Sequence, residues 1–299
     1  MSDKGTPVRW AELRPDAFRA RRDLHPVVYL PLGLCEPHGC VAALGLDLIK
    51  AEYYCDEAAR RFGGIVAPAQ GYHIHECGFH APWLAEVVGE DNALMAAIPP
   101  HVMLHLFLYQ LRTFANAGFK AVIAVSGHAG GSQEDLRRAA AVFAGATGLR
   151  IVVRADPEWV EGLYVGDHAG KYELSQLLAM RPDLVDLSLL NSQEQSGTGK
   201  RFALGDDAAE ASSNYGHAIN EAIIAAIGRE ASESLALALE YSPKKSVDYT
   251  DVEALWAKLR ATMKDWRSLS LHPGQVSVAS SSQWHSNAHA LDTLKHENN

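Results

Sequence analysis

Apolar positions along the chain fall into short runs that alternate with longer stretches patterned at helical spacing. The first run, Val27-Val28-Tyr29-Leu30-Pro31-Leu32, is nearly continuous, as expected of a strand covered on both faces. It ends in Gly33-Leu34-Cys35-Glu36-Pro37-His38-Gly39, where glycine and proline stop the strand. Residues 47–62 then read as a helix that Gly63-Gly64 close. The rhythm continues with a strand over 65–69, a helix over 99–117, a strand over 121–125, a helix over 132–146 and a strand over 149–153. Ser132 followed by Asp135 reads as a weak capping box. Further helices are predicted over 208–227 and 251–266, with β-like alternation over 274–282. Alternating strands and helices predict βα units, a mostly parallel sheet and right-handed crossovers, hence an α/β fold.

One domain over residues 1–299 is expected, with a loop excursion over 186–207, rich in Ser, Gly, Gln and Asp, and an exposed tail over 290–299. No internal repeat is visible. The 27 basic and 36 acidic residues leave a net charge of -9, and no basic run is longer than Arg19-Ala20-Arg21-Arg22. Nucleic acid and anionic membrane are therefore disfavoured as partners, and a small molecule is the expected one. The first residues lack a signal-peptide pattern and no apolar run approaches a membrane span, so a soluble cytoplasmic protein is expected. Cys35, Cys40, Cys55 and Cys77 form no C-x-x-C pair and read as small buried or pocket-lining thiols.

Candidate chemistry sits where strands end, because the loops that follow parallel strands converge there. Glu36 and His38 come directly after the first strand, two residues apart, so both can point the same way. Asp47 opens the next helix, where a carboxylate is favoured but could simply be a cap. His128 follows a later strand inside the glycine-rich turn Ser126-Gly127-His128-Ala129-Gly130-Gly131. These four form an oxygen and nitrogen ligand set suited to zinc, manganese or another divalent ion, with Glu173 as a fifth candidate. Asp47 would bridge if two ions are held. His168, in a loop five residues before Glu173, is placed to transfer protons. Asp167 beside it either orients it or faces solvent.

With these pieces in hand, the chain resembles the creatininase (creatinine amidohydrolase) family. The resemblance rests on residues 31–39 with Asp47, on residues 126–131, and on His168-Ala169-Gly170-Lys171-Tyr172-Glu173-Leu174-Ser175, in the family's order. It implies a three-layer α/β/α domain with a binuclear centre of zinc or manganese, often assembled into homo-oligomers up to hexamers. Carried over by motif, Glu36, His38, Asp47, His128 and Glu173 would be metal ligands, Asp47 bridging, and His168 the catalytic proton-transfer residue.

Several positions depart from the family pattern. Both asparagines that flank the glycine turn in many relatives are Ser126 and Ser132 here, and a glutamate of the creatinine enzymes is replaced by Gly130. The usual aspartate two residues before His168 is Gly166. Another segment becomes the histidine-rich Gly71-Tyr72-His73-Ile74-His75-Glu76-Cys77-Gly78-Phe79-His80. His73, His75, Glu76 and His80 are candidate substrate-binding groups, able to hydrogen-bond hydroxyl or keto oxygens. Trp159 and Tyr164 are candidate walls of the pocket or ordinary packing aromatics.

The expected function is metal-dependent hydrolysis of a small polar cyclic substrate. The pocket's polarity favours a diketo-inositol (3-dehydro-scyllo-inosose-like), opened by C–C bond hydrolysis. The alternatives are cyclic amide or formamide hydrolysis, and a metal-binding structural or regulatory protein without turnover. A dinucleotide-binding enzyme is disfavoured, because no G-x-G-x-x-G follows the first strand.

Overall fold

The strands β1 (Val27–Leu32), β2 (Ile65–Val66), β3 (Ala121–Ser126) and β4 (Arg150–Ala155) pair in parallel in the order β2-β1-β3-β4. This computed structural model describes residues 7–75, 94–190, 204–238 and 246–269. Leu32 stands opposite Ser126, and Ser126 opposite Ala155, so three strands finish level. The loops carrying Glu36, His128 and Asp156 therefore leave the sheet at one edge, which is where parallel sheets gather their chemistry.

Period-two alternation sends successive strand residues to opposite layers. Val28, Leu30, Leu32, Val122 and Ala124 pack with Phe107 and Leu111 of α3 (Pro100–Asn116), Phe143 of α4 (Ser132–Thr147) and Trp256 of α7 (Tyr249–Arg260). Val27, Tyr29, Ala121, Ile123 and Val125 pack with Tyr54 and Ala58 of α2 (Leu46–Phe62) and Ile223 and Ile227 of α6 (Ser213–Ala238). The result is the expected three-layer α/β/α arrangement. Each fully buried Leu, Ile or Phe contributes about 1.5–3 kcal/mol, so both layers are needed to hold the sheet. Two more helices complete the described part, α1 (Pro15–Leu24), which the pattern did not anticipate, and α5 (Lys171–Met180).

Several boundaries differ from expectation for identifiable reasons. The second strand closes at Val66 rather than 69, as Pro68 has no N–H to donate. The helix predicted to stop at residue 227 runs on through Gly228 to Ala238 as α6. That glycine makes room for the Phe62 ring, which a Cβ would overlap. The helix predicted from 208 is a 3-10 turn (Ala208–Glu210) before α6 begins at Ser213, and the one predicted to 266 ends at Arg260. Asp135 does not cap α4: its carboxylate accepts the Arg267 and Ser268 N–H groups (2.9 and 2.8 Å) and the Ser268 hydroxyl, fastening residues 267–268 to that helix. Residues 191–203 of the expected excursion, the 274–282 pattern and the 290–299 tail lie outside the described residues. Among the described residues no helix is long and apolar enough to cross a membrane. Cys55 is buried and Cys35 half-buried, while Cys40 is exposed in the turn after Gly39 and so is not one of the buried thiols. Cys77 lies outside the described residues.

Candidate metal centre

Helix α2 brings a carboxylate to the sheet edge because its buried stripe is polar in the first turn and apolar afterwards. Asp47 and Lys50 occupy that stripe one turn apart, and Tyr54 and Ala58 continue it into the core. Two glycines admit the helix: a Cβ at Gly33 would overlap the Leu48 backbone, and one at Gly127 the Asp47 carbonyl. The strand-end loops bearing Glu36 and His128 thus close directly onto the start of α2.

Three overlapping groups result, the offered ligand atoms within each lying within 4.8 Å of one another: Glu36 with Asp47 and His128, and His38 with Asp47 and Glu173, both wholly buried and sharing Asp47, and Glu36 with His38 and the exposed His168. All five side chains of the first two groups are buried. Asp47 belongs to both of those: its Oδ1 is 3.3 Å from His38 Nε2 and its Oδ2 3.4 Å from His128 Nδ1. Glu36 Oε1 is 2.9 Å from His128 Nδ1, and Glu173 Oε2 is 3.4 Å from His38 Nε2. His38 Nδ1 lies 3.0 Å from the Glu36 backbone carbonyl, to which it donates, leaving the Nε2 lone pair for the cluster.

The donor set fits divalent ions. Both Asp47 oxygens and His38 Nε2 are buried and make no hydrogen bond among the described residues. Two carboxylates this close in a protein interior repel by on the order of 3 kcal/mol at an effective dielectric of about 20. Buried charge of this kind is paired or coordinates a metal. Burial alone would raise the Glu36 carboxyl, but His128 and His75 outweigh it and hold it well below the usual carboxylate range. Burial likewise opposes the charged form of His38, yet Asp47 and Glu173 raise its pKa well above the ordinary value. The pocket is thus strongly selective for positive charge, whether proton or metal cation.

His168 stacks on His38 at 4.8 Å and is the exposed member of the cluster, with its side chain 44% accessible. Its Nδ1 stands 4.0 Å from both Glu36 Oε1 and Glu173 Oε2, and its Nε2 lies 3.1 Å from the Pro37 carbonyl. Asp167 does not orient it. That carboxylate accepts the N–H groups of Gly170, Tyr172 and Glu173 (3.1, 2.7 and 3.2 Å), holding the first turn of α5 and with it Glu173.

The other candidates divide. His75 Nε2 is 3.0 Å from Glu36 Oε2, its ring lies 5.4 Å from that of His128, and buried His73 stands 5.5 Å from the same ring. Glu76 and His80 lie outside the described residues. Trp159 is buried in the α2/α6 layer with Arg154 over its face, and Tyr164 packs edge-on against Tyr215. Those contacts are packing contacts.

Sequence reasoning missed Lys50 and Asp156. Lys50 is fully buried, its Nζ 2.6 Å from Glu173 Oε1, 3.3 Å from Asp156 Oδ1 and 3.8 Å from Asp47 Oδ1. Burial, only partly offset by Lys50, raises the Asp156 carboxyl to about 6. The available signal was positional, since Lys50 lies three residues after Asp47 on a helix stripe that is otherwise apolar.

Parallel strands that end level beside buried acids and imidazoles, with an exposed histidine above, define an α/β/α protein with a candidate metal centre. The creatinine amidohydrolase (creatininase) family model matches residues 11–240, and the chain belongs to that family. A creatinine amidohydrolase of Pseudomonas putida is 27% identical over 184 residues, which cover 54% of this chain and 66% of that relative, just under two thirds of its length. A solved creatinine amidohydrolase (creatininase) shares the fold with TM-score 0.65 and 19% identity over 77% of this chain and 98% of its own. A manganese creatininase does so at 0.63 and 20%, over 76% and 98%. A mutant creatininase of Zn–Zn type aligns at 0.62 and 20%, over 77% and 98%.

Proposed function

We propose that the protein hydrolyses a C–N amide bond in a small polar cyclic substrate at a centre of two divalent ions, zinc or manganese. The observation that carries this reading is Asp47, buried and shared between two ligand groups beneath His168. Relatives named for amide hydrolysis put a cyclic amide ahead of the diketo-inositol favoured by pocket polarity alone. Neighbouring ions make water acidic and polarise a carbonyl.

The chain's own residues do the rest. Glu36, His38, Asp47, His128 and Glu173 hold the centre. His168, accessible and next to the cluster, delivers a proton to the departing nitrogen. His73 and His75 stand on the His128 side, where they can hydrogen-bond polar groups of the substrate. Assembly into a homo-oligomer is part of the same reading, and light scattering tests it.

Incubating the ion-loaded protein with creatinine and other cyclic amides, formamides and diketo-inositols, with product analysis by mass spectrometry, tests the chemistry. Ring opening that adds one water and frees an amine and a carboxylate is expected. A new carboxylate with a new C–H bond would establish the C–C reaction instead, and formate release a deformylase.

A further inference from the structure

Lys50 is the only ammonium among the described residues placed within 4 Å of three buried carboxylates. Desolvating such a group is costly, and a buried ion pair is weak evidence for a purely stabilising role. Its placement is informative because it separates the two oxygens of Glu173. Oε1 accepts from Lys50 Nζ at 2.6 Å, while Oε2 accepts the Ala169 N–H at 2.9 Å and faces His38 Nε2 at 3.4 Å. The ammonium is itself held from behind, since Asp156 Oδ1 lies 3.3 Å away and Gln176 Nε2 fixes Asp156 Oδ2 at 3.0 Å. A chain of contacts thus runs from α5 through the end of β4 to Lys50 and back to one ligand of one group. Among the described residues no ammonium reaches Glu36, which is clamped by His128 and His75 instead.

We infer that Lys50 is a positioning residue that holds Glu173 through Oε1 so that Oε2 faces the ion of the His38, Asp47 and Glu173 group, and that it sets the affinity of that ion alone. The inference rests on the two-ion reading of the centre. Lys50 and Asp156 offset each other's charge, so the pair orients a ligand without altering the net charge that attracts the ions. Groups that orient metal ligands in this way typically change metal affinity about 10- to 100-fold when removed.

The test is calorimetric titration of the chelator-stripped protein with Mn2+, with bound manganese counted after dialysis, in the parent and three variants. The parent is expected to bind two ions; fewer would overturn the two-ion reading before any variant is considered. Lys50→Met is expected to weaken one ion about 10- to 100-fold and leave the other unchanged. The double variant Lys50→Met with Asp156→Asn removes both charges together and covers the case in which the single variant fails to fold. It is expected to show the same selective loss. Asp156→Asn alone removes the charge behind Lys50 but leaves Lys50 on Glu173, and is expected to weaken the same ion and no other, by less than Lys50→Met does. Equal weakening of both ions in any variant, or unchanged binding in Lys50→Met and the double variant, would each overturn the inference.

Discussion

Gly127 lies directly against Asp47: a Cβ on the glycine would overlap the Asp47 carbonyl oxygen. That contact joins the loop after β3 to the start of α2, so the distance between His128 and Asp47 is set by backbone rather than by flexible side chains.

Gly127→Ala is therefore expected to destabilise the fold by about 1–3 kcal/mol, the usual range for overpacking a closed site, and to weaken metal binding with it. Gly145 provides the contrast, an exposed helix position where an added Cβ meets nothing within 4 Å. Gly145→Ala is expected to stabilise by about 0.5–1 kcal/mol through helix propensity. Denaturant unfolding of both variants checks the pair, and an unaffected Gly127→Ala would refute the close approach.

The buried charges give the metal-free protein a defined pH response. For Glu36, burial is outweighed by His128 and His75, and for Glu173 by Lys50 and His38, so both carboxyls fall below the ordinary value of 4.5. Their stabilising contribution is fully present above that value and is lost as pH falls through the lower folded values. For His38, burial is outweighed by Asp47 and Glu173, and its pKa rises above 6.5. That contribution is complete below 6.5 and is lost as pH rises through the raised folded value. Metal binding must displace the His38 proton, so ion affinity rises with pH over the same interval. The melting-temperature gap between ion-loaded and chelator-treated protein is expected to widen from pH 6.5 upward, with protons released on binding. A gap independent of pH together with no proton release would contradict the account.

Replacing His168 separates chemistry from metal binding. The imidazole stacks on His38 but belongs to neither group that shares Asp47. His168→Ala is expected to lower kcat about 10²- to 10⁴-fold while the protein keeps its ions. Full turnover in that variant would remove His168 as the proton donor.

Much of the centre was legible because its chemistry falls at strand ends, where short apolar runs give way to polar turns. Glu36, His38 and His128 could be found that way, whereas Asp47 read equally as a helix cap and Glu173 as an ordinary helix acid until the family resemblance joined them to the others. What stayed hidden depends on contacts between distant segments. Lys50 sits on a helix stripe where a lysine ordinarily reaches solvent, and only its three carboxylate neighbours explain its burial. Asp135 looked like a local cap, yet it binds a segment more than a hundred residues away. The helix expected to end at residue 227 continues through Gly228, which packs against the distant ring of Phe62.

Counting tightly bound ions in the parent and in Asp47→Asn tests the central claim most directly. The amide keeps the shape of the side chain but offers a single neutral carbonyl oxygen where the carboxylate serves both groups. Two ions per chain in the parent and no more than one in Asp47→Asn are the predicted counts, by mass spectrometry of metal content after dialysis. Two ions retained by Asp47→Asn would contradict the shared carboxylate, and none in the parent would contradict the centre itself.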